Sequence, residues 1–306
     1  LALSRTAARP PHLLVSRRER WARRSLVSPS VLALLVLGAY PLLFIIAASV
    51  SDSSLGKPFR AWTGTENFET VLADGDVVAS LWRTVAYALA VSLASVALGV
   101  VAAVALERAT RGGSIVKTIL LLPLIIPPVV VGTLWKLIFN PGGGLLSTIV
   151  EFFGGDGAAL APLSSTAWAL PAIALTDVWE WTPLVILLVY TSLLGQDEAT
   201  REAAALDGAH GWRLFRSITL PAIAGAVAAA FFIRLVIAFK VFDLVFVMTS
   251  GGPGQATTTT SYLIYQVALK EFDVGRASAI TLLLAVVVTL VTLPIVALTR
   301  KVHRDA

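Results

Sequence analysis

Six stretches of the chain stay apolar for twenty residues or more: 29–50, 79–106, 116–139, 167–194, 221–248 and 276–299. About 20 helical residues cross the hydrocarbon core of a bilayer, so the pattern predicts six transmembrane helices. Several runs exceed that minimum, which leaves room for tilt. The third run carries Pro123, Pro127 and Pro128, which remove backbone donors, so this helix is expected to kink or break. Between runs lie the turn-forming segments "NPGGG" (140–144), "GGDG" (154–157) and "SGGPG" (250–254). The first run follows the basic stretch "SRRERWARR" (16–24) but is too long for a signal-peptide core, and is read as an uncleaved span. The expected organisation is a tail over 1–28, a six-span domain over 29–300 and a short tail over 301–306.

Composition supports an all-α integral membrane protein. The 306 residues are 57% hydrophobic and 14% charged, against about 45–50% and about 25% in ordinary globular chains. The net charge of +5 raises the question of nucleic acid, but its distribution answers it. Sixteen of the 24 basic residues fall in the tails, in the 107–117 loop and around 201–216; the alternate loops hold only Lys57, Arg60 and Lys270. By the positive-inside rule both termini and the 201–216 segment are cytoplasmic, and no nucleic-acid partner is implied. Cysteine is absent, and His12, His210 and His303 lie outside the apolar runs in no ligand spacing, so no metal site is expected.

Two features carry candidate chemistry. The first lies at the middle of the fourth and fifth runs, where ionisable groups are expensive and usually face a cavity or a partner. Asp177, Glu180, Trp181 and Leu184 share one helical face; Arg234, with Ile237 and Ala238, lies on the fifth run. Carboxylates that accept hydroxyl protons beside an aromatic plate suit a sugar, and Arg234 either serves that site or pairs with Asp177 or Glu180 to hold the bundle. Lys240 and Asp243, three apart, read as a helical ion pair, and Trp82, Trp135 and Tyr190 as interfacial belt aromatics. The second feature is "EAAALDGAHGWRLFRSITLP" (202–221), a polar element between two of the greasiest runs. Asp197 and Glu198 suit the first turn of a helix, "TREAAAL" continues it, and Asp207-Gly208 stops it. A second short helix is expected from about His210, with Trp212 and Phe215 on one side, and Pro221 then begins the next span.

The order Glu202-Ala203-Ala204, Gly208, Ile218-Thr219-Leu220-Pro221 resembles the signature loop of ABC importer permeases. Stretches 29–52, 66–87, 121–147 and 242–269 are similar to the carbohydrate-uptake, maltose-type branch of that family, so the likeness covers nearly the whole chain. Two departures are Ser147, where the family often has asparagine, and the lack of the maltose-type relative's extra N-terminal spans and large outer domain. The resemblance implies a six-span type I permease bundle that imports a di- or oligosaccharide, trehalose being the sugar it suggests, by alternating access. It implies that 202–221 is the coupling helix seated on an ATPase subunit, with Glu202 making a polar contact and Gly208 the sharp turn; Ala203, Ala204, Asp207, Trp212 and Phe215 complete that set. It places the sugar pocket on the fourth and fifth spans. Its partners would be a second permease, two copies of an ABC ATPase, an extracytoplasmic sugar-binding lipoprotein and membrane lipid. No G-x-x-x-x-G-K-[ST] run occurs, so ATP and Mg would be bound by the ATPase partners, with no cofactor or enzymatic site in this chain. The alternatives are a permease for another solute such as glycerol phosphate, and a secondary transporter, whose repeated halves the sequence does not display.

Overall fold

The computed structural model describes residues 17–108 and 113–305. The tail over 1–16, with Arg5, Arg9 and His12, lies outside the described residues, as does Arg111. Two units are distinguished, Leu1–Ala47 and Ala48–Ala306. The first is the helix α1 (Arg17–Ser49) up to its last turn, so half of the expected tail is helical. Its sequence is apolar on all sides beyond Pro29, as a lipid-facing span requires.

The second unit opens on a polar cap that the apolar pattern did not predict. Strands β1 (Ser51–Ser54) and β2 (Lys57–Trp62) pair antiparallel, and helix α2 (Glu66–Ala73) follows. Asn67 Nδ2 donates to the carbonyls of Ser49 and Ser51, both at 3.0 Å, and so satisfies backbone acceptors left where the first helix ends. Arg60 pairs with Asp52 at 2.5 Å across the hairpin. These short polar elements have no 20-residue apolar signature, which is why periodicity passed over them.

Spans two, four and six follow the sequence: α3 (Gly75–Arg108), α7 (Ala169–Leu194) and α13 (Val274–Asp305). The last runs on through the expected 301–306 tail as far as Asp305. The third run breaks, as its prolines require. Helix α4 (Gly113–Leu121) passes through a tight turn at Leu122–Ile125 into α5 (Pro128–Ile138), and the two halves meet at 102°. Helix α6 (Leu145–Phe152) and a turn at Pro162–Ser164 complete the loop before α7.

The fifth span corrects the sequence reading twice. Helix α8 (Glu198–Leu206) is capped by Asp197, whose Oδ1 accepts from the Ala199 amide at 3.0 Å. No separate second helix follows: α9 (Gly211–Leu214) runs through a wide π turn, Phe215–Thr219, into α10 (Leu220–Ala238), one continuous span over Gly211–Ala238. Pro221 therefore lies inside the helix, and the widened turn just before it relieves the clash a proline ring makes with the preceding turn. At the other end the helix stops at Ala238 rather than 248; residues 239–242 are irregular, and α11 (Asp243–Met248) starts afresh. Hydroxyls support this break. Thr259 Oγ1 donates to Val241 O at 3.1 Å and Ser261 Oγ to Phe239 O at 3.4 Å. Such repayment of freed carbonyls lets a helix break inside an apolar run. Thr259 belongs to the buried stretch Thr257–Thr260 and half-buried Ser261 follows it in α12 (Thr260–Tyr265), which a second π turn, Gln266–Lys270, extends.

Helix α7 is the most buried span and packs between α3 and α10. The approach of α3 is set by Gly99: a Cβ there would meet Val185 Cγ1 at 2.5 Å and Cβ at 2.6 Å. Small residues at such crossings let helix backbones close up where lipid offers no hydrophobic drive. Gly99→Ala is expected to cost about 1–3 kcal/mol through overpacking, read as a lower denaturation midpoint in detergent; an unchanged midpoint would show that α3 and α7 are not held this tightly. Of the supposed belt aromatics, Trp82 is exposed, Trp135 packs edge-on to Trp179 at 5.8 Å, and Tyr190 lies beneath the Lys117 ammonium, 4.3 Å from its ring centroid.

Candidate functional site

Half-way along α7 the chain buries charge. Asp177 and Glu180 are each 2% exposed, and Arg234 of α10 is fully buried. The Asp177 carboxylate is saturated: Oδ1 accepts from Arg234 Nη2 and Oδ2 from the Tyr87 hydroxyl of α3 at 2.8 Å. Arg234 Nε reaches Ser95 Oγ of α3 at 3.3 Å. One network thus ties α3, α7 and α10 together half-way along the spans. Of the two pairings the spacing left open, the structure forms Arg234–Asp177. Glu180 differs: its Oε2 is buried with no hydrogen-bond partner among the described residues.

Beside this network lies a cavity of about 70 Å³. Asp177, Glu180, Trp181 and Ile237 line it, as the sequence reading grouped them. Arg234 stands behind it, engaged with Asp177. Leu184 and Ala238 do not reach its wall. Five lining residues come from the break after α10 and the start of α11, Lys240, Val241, Phe242, Asp243 and Leu244, and one, Pro128, from the bend in the third span. Both interrupted helices therefore converge on the same hollow. The expected Lys240–Asp243 ion pair does not form among the described residues, because the helix that would align them i to i+3 ends at Ala238. Tyr87 and Ser95 were beyond sequence reading: a tyrosine and a serine in an apolar run carry no distinguishing pattern.

The second candidate site is α8 with its turn. Glu202, Ala203, Asp207 and Gly208 are exposed, and Ala204 is half-buried. The Ala209 amide donates to Ala204 O at 2.9 Å, the i to i−5 closure of a Schellman turn. Gly208 sits at its pivot with φ +78°, left-handed backbone that glycine adopts without strain. The Trp212 and Phe215 rings pack at a tilt of 31° with centroids 5.4 Å apart. Glu202 makes no hydrogen bond or ion pair within the described residues. Glu202 is thus an exposed acid on a helix capped by Asp197 and hinged by glycine to a span.

Comparison with known proteins agrees with this architecture. The profile of the "binding-protein-dependent transport system inner membrane component" family matches residues 95–304. A probable ABC transporter permease of Sinorhizobium fredii is 32% identical, over 94% of this chain and 94% of its own. The trehalose transport system permease of Mycobacterium tuberculosis is 31% identical, over 87% of this chain and 84% of its own. Among solved structures, a bacterial alginate ABC transporter in complex with a pentasaccharide-bound periplasmic protein superposes with a TM-score of 0.83 at 21% identity, covering 93% of this chain and 96% of that one. With 102° of bend in its third span and α8 hinged to its fifth, the chain has the type I permease fold and belongs to the binding-protein-dependent transport system inner membrane components, the permeases of ABC importers.

Proposed function

We propose that the protein is the permease subunit of an ATP-driven importer of a neutral di- or oligosaccharide, with trehalose the first sugar to test. The observation that carries this reading is the charge of the cavity wall. Glu180 and Asp243 line it against one ammonium, Lys240, while Asp177, which also lines it, and the Arg234 guanidinium offset each other. Such a wall accepts hydroxyl protons and repels phosphate, which counts against glycerol phosphate. Trp181 and Phe242 supply ring surface for the apolar face of a pyranose. The trehalose-transporting relative points the same way.

At about 70 Å³ the cavity has room for one or two waters, whereas small-molecule pockets measure about 300–1,000 Å³. The conformation is closed, and binding requires the wall to part. The breaks at Pro127-Pro128 and at 239–242 border the cavity and are the hinges that let it do so. Together with a second, similar permease the chain would complete the pathway, and a lipoprotein outside the membrane would deliver the sugar. Two ATPase copies, which hold the ATP and Mg, would grip α8 on the cytoplasmic side, where both termini also lie. Their closure would push α8 and rock the spans, a coupling that needs different contacts in the two states.

Uptake by a strain lacking the gene tests both halves of this reading. Restoring the chain is expected to restore uptake of labelled trehalose and not of labelled glycerol phosphate. Glu202→Lys is expected to cut that uptake at least tenfold while ATP hydrolysis by the assembled complex continues. Undiminished uptake in the variant removes α8 as the coupling element; uptake of glycerol phosphate removes the sugar.

A further inference from the structure

A hollow of about 360 Å³ opens where the fifth span begins. One wall is the stretch Val100–Ala105 of α3, the other Gly211, Trp212 and Phe215. Every lining side chain is apolar, yet Trp212 is 70% exposed and Val101 68%. Beside it stand Arg213 and Arg216, both exposed, and neither forms an ion pair or hydrogen bond within the described residues. Arg216 follows Trp212 by one helical turn.

Depth decides what such a hollow meets. Val100–Ala105 lies within two turns of the end of a span that closes at Glu107, and Gly211 opens the next span to carry a wall. At about 1.5 Å per residue, the hollow reaches roughly 10 Å inward from that end, across the zone where headgroups give way to acyl chains. Tryptophan favours this level, and arginine extends its charge to the headgroups while its stem lies on apolar surface. Guanidinium groups recognise phosphate by paired hydrogen bonds. An apolar trough next to two exposed arginines of the same helix, both without partners among the described residues, is complementary to a molecule with a long hydrocarbon tail and an anionic head. A soluble protein surface has no tail to fill it.

We propose that this hollow binds one anionic phospholipid, an acyl chain lying along the valines and the Trp212 ring and the phosphate held by Arg213 and Arg216. The lipid then braces the joint between α8 and the fifth span, whatever solute is carried.

The test is native mass spectrometry of the full chain released from nanodiscs of equal phosphatidylglycerol and phosphatidylcholine. The wild type is expected to retain phosphatidylglycerol preferentially. The double variant Arg213→Gln, Arg216→Gln should lose about thirtyfold of that preference, the worth of two cations at a charged bilayer surface. Arg213→Lys with Arg216→Lys should keep most of it. Val101→Trp, which fills the trough and leaves both charges, should lower retention too. Undiminished phosphatidylglycerol in the Gln variant overturns the proposal. So does retention that ignores Val101→Trp, which would mean surface charge alone. A Gln variant that keeps its lipid and instead loses its ATPase partner would give the surface to the motor. Should Val101→Trp fail to fold, the comparison of Gln with Lys variants still decides.

Discussion

Arg234→Met is expected to destabilise the bundle by about 3–5 kcal/mol, the usual consequence of removing one member of a buried ion pair. The side chain is fully buried and engages Asp177 of α7 and Ser95 of α3. Removing it leaves Asp177 with the Tyr87 hydroxyl as its one remaining partner and an uncompensated negative charge at mid-membrane. The pair itself is a different matter, since replacing both charges by packed apolar groups is often neutral or favourable. Arg234→Met combined with Asp177→Leu and Tyr87→Phe is therefore expected to recover most of the loss. The measurement is an equilibrium denaturation series in mixed micelles, read at the same detergent fraction throughout. A single variant as stable as the wild type would mean that the network does not hold α3, α7 and α10 together. A triple variant no better than the single would mean that shape, not charge, was lost.

That network marks the boundary of what the amino-acid order discloses. The span runs, the break in the third run and the alignment of Asp177, Glu180 and Trp181 on one face are all local properties. Hydrophobic length, proline chemistry and a 3.6-residue repeat expose them directly. Which acid Arg234 meets is not local. It depends on how closely α10 and α7 approach, which Gly99 and its neighbours help to set from a third helix. The end of the fifth span at Ala238 was hidden for a related reason. "FKVFDLVFVM" reads as a continuing apolar helix, and only Thr259 and Ser261, some twenty residues later, supply the donors that let it stop. The π turn before Pro221 was hidden by expectation: a proline after a polar segment reads as a helix start, yet a widened turn also accommodates it. In the first two cases a short-range preference was overruled by a partner distant in sequence; in the third, two local solutions compete.

Glu180→Leu is expected to move stability and recognition in opposite directions, which separates a binding group from a structural one. Asp177 has its oxygens satisfied within the chain, whereas Glu180 keeps one oxygen buried and unpartnered at the edge of the cavity it lines with Asp243. A buried acceptor without a donor costs about 1–3 kcal/mol, so an apolar replacement of similar reach should leave the bundle as stable or more so. The same oxygen is the one into which a sugar hydroxyl can donate without displacing an existing bond. A hydrogen bond contributes about 0.5–1.5 kcal/mol net, so the half-saturating sugar concentration for uptake should rise about 2- to 10-fold. Glu180→Gln, which keeps an acceptor, should fall between the two. Stability and uptake falling together would make Glu180 a packing residue and place the sugar elsewhere. Sites that hold unsatisfied groups ready for a ligand commonly lose stability by doing so, and Glu180, at the cavity wall, is such a group.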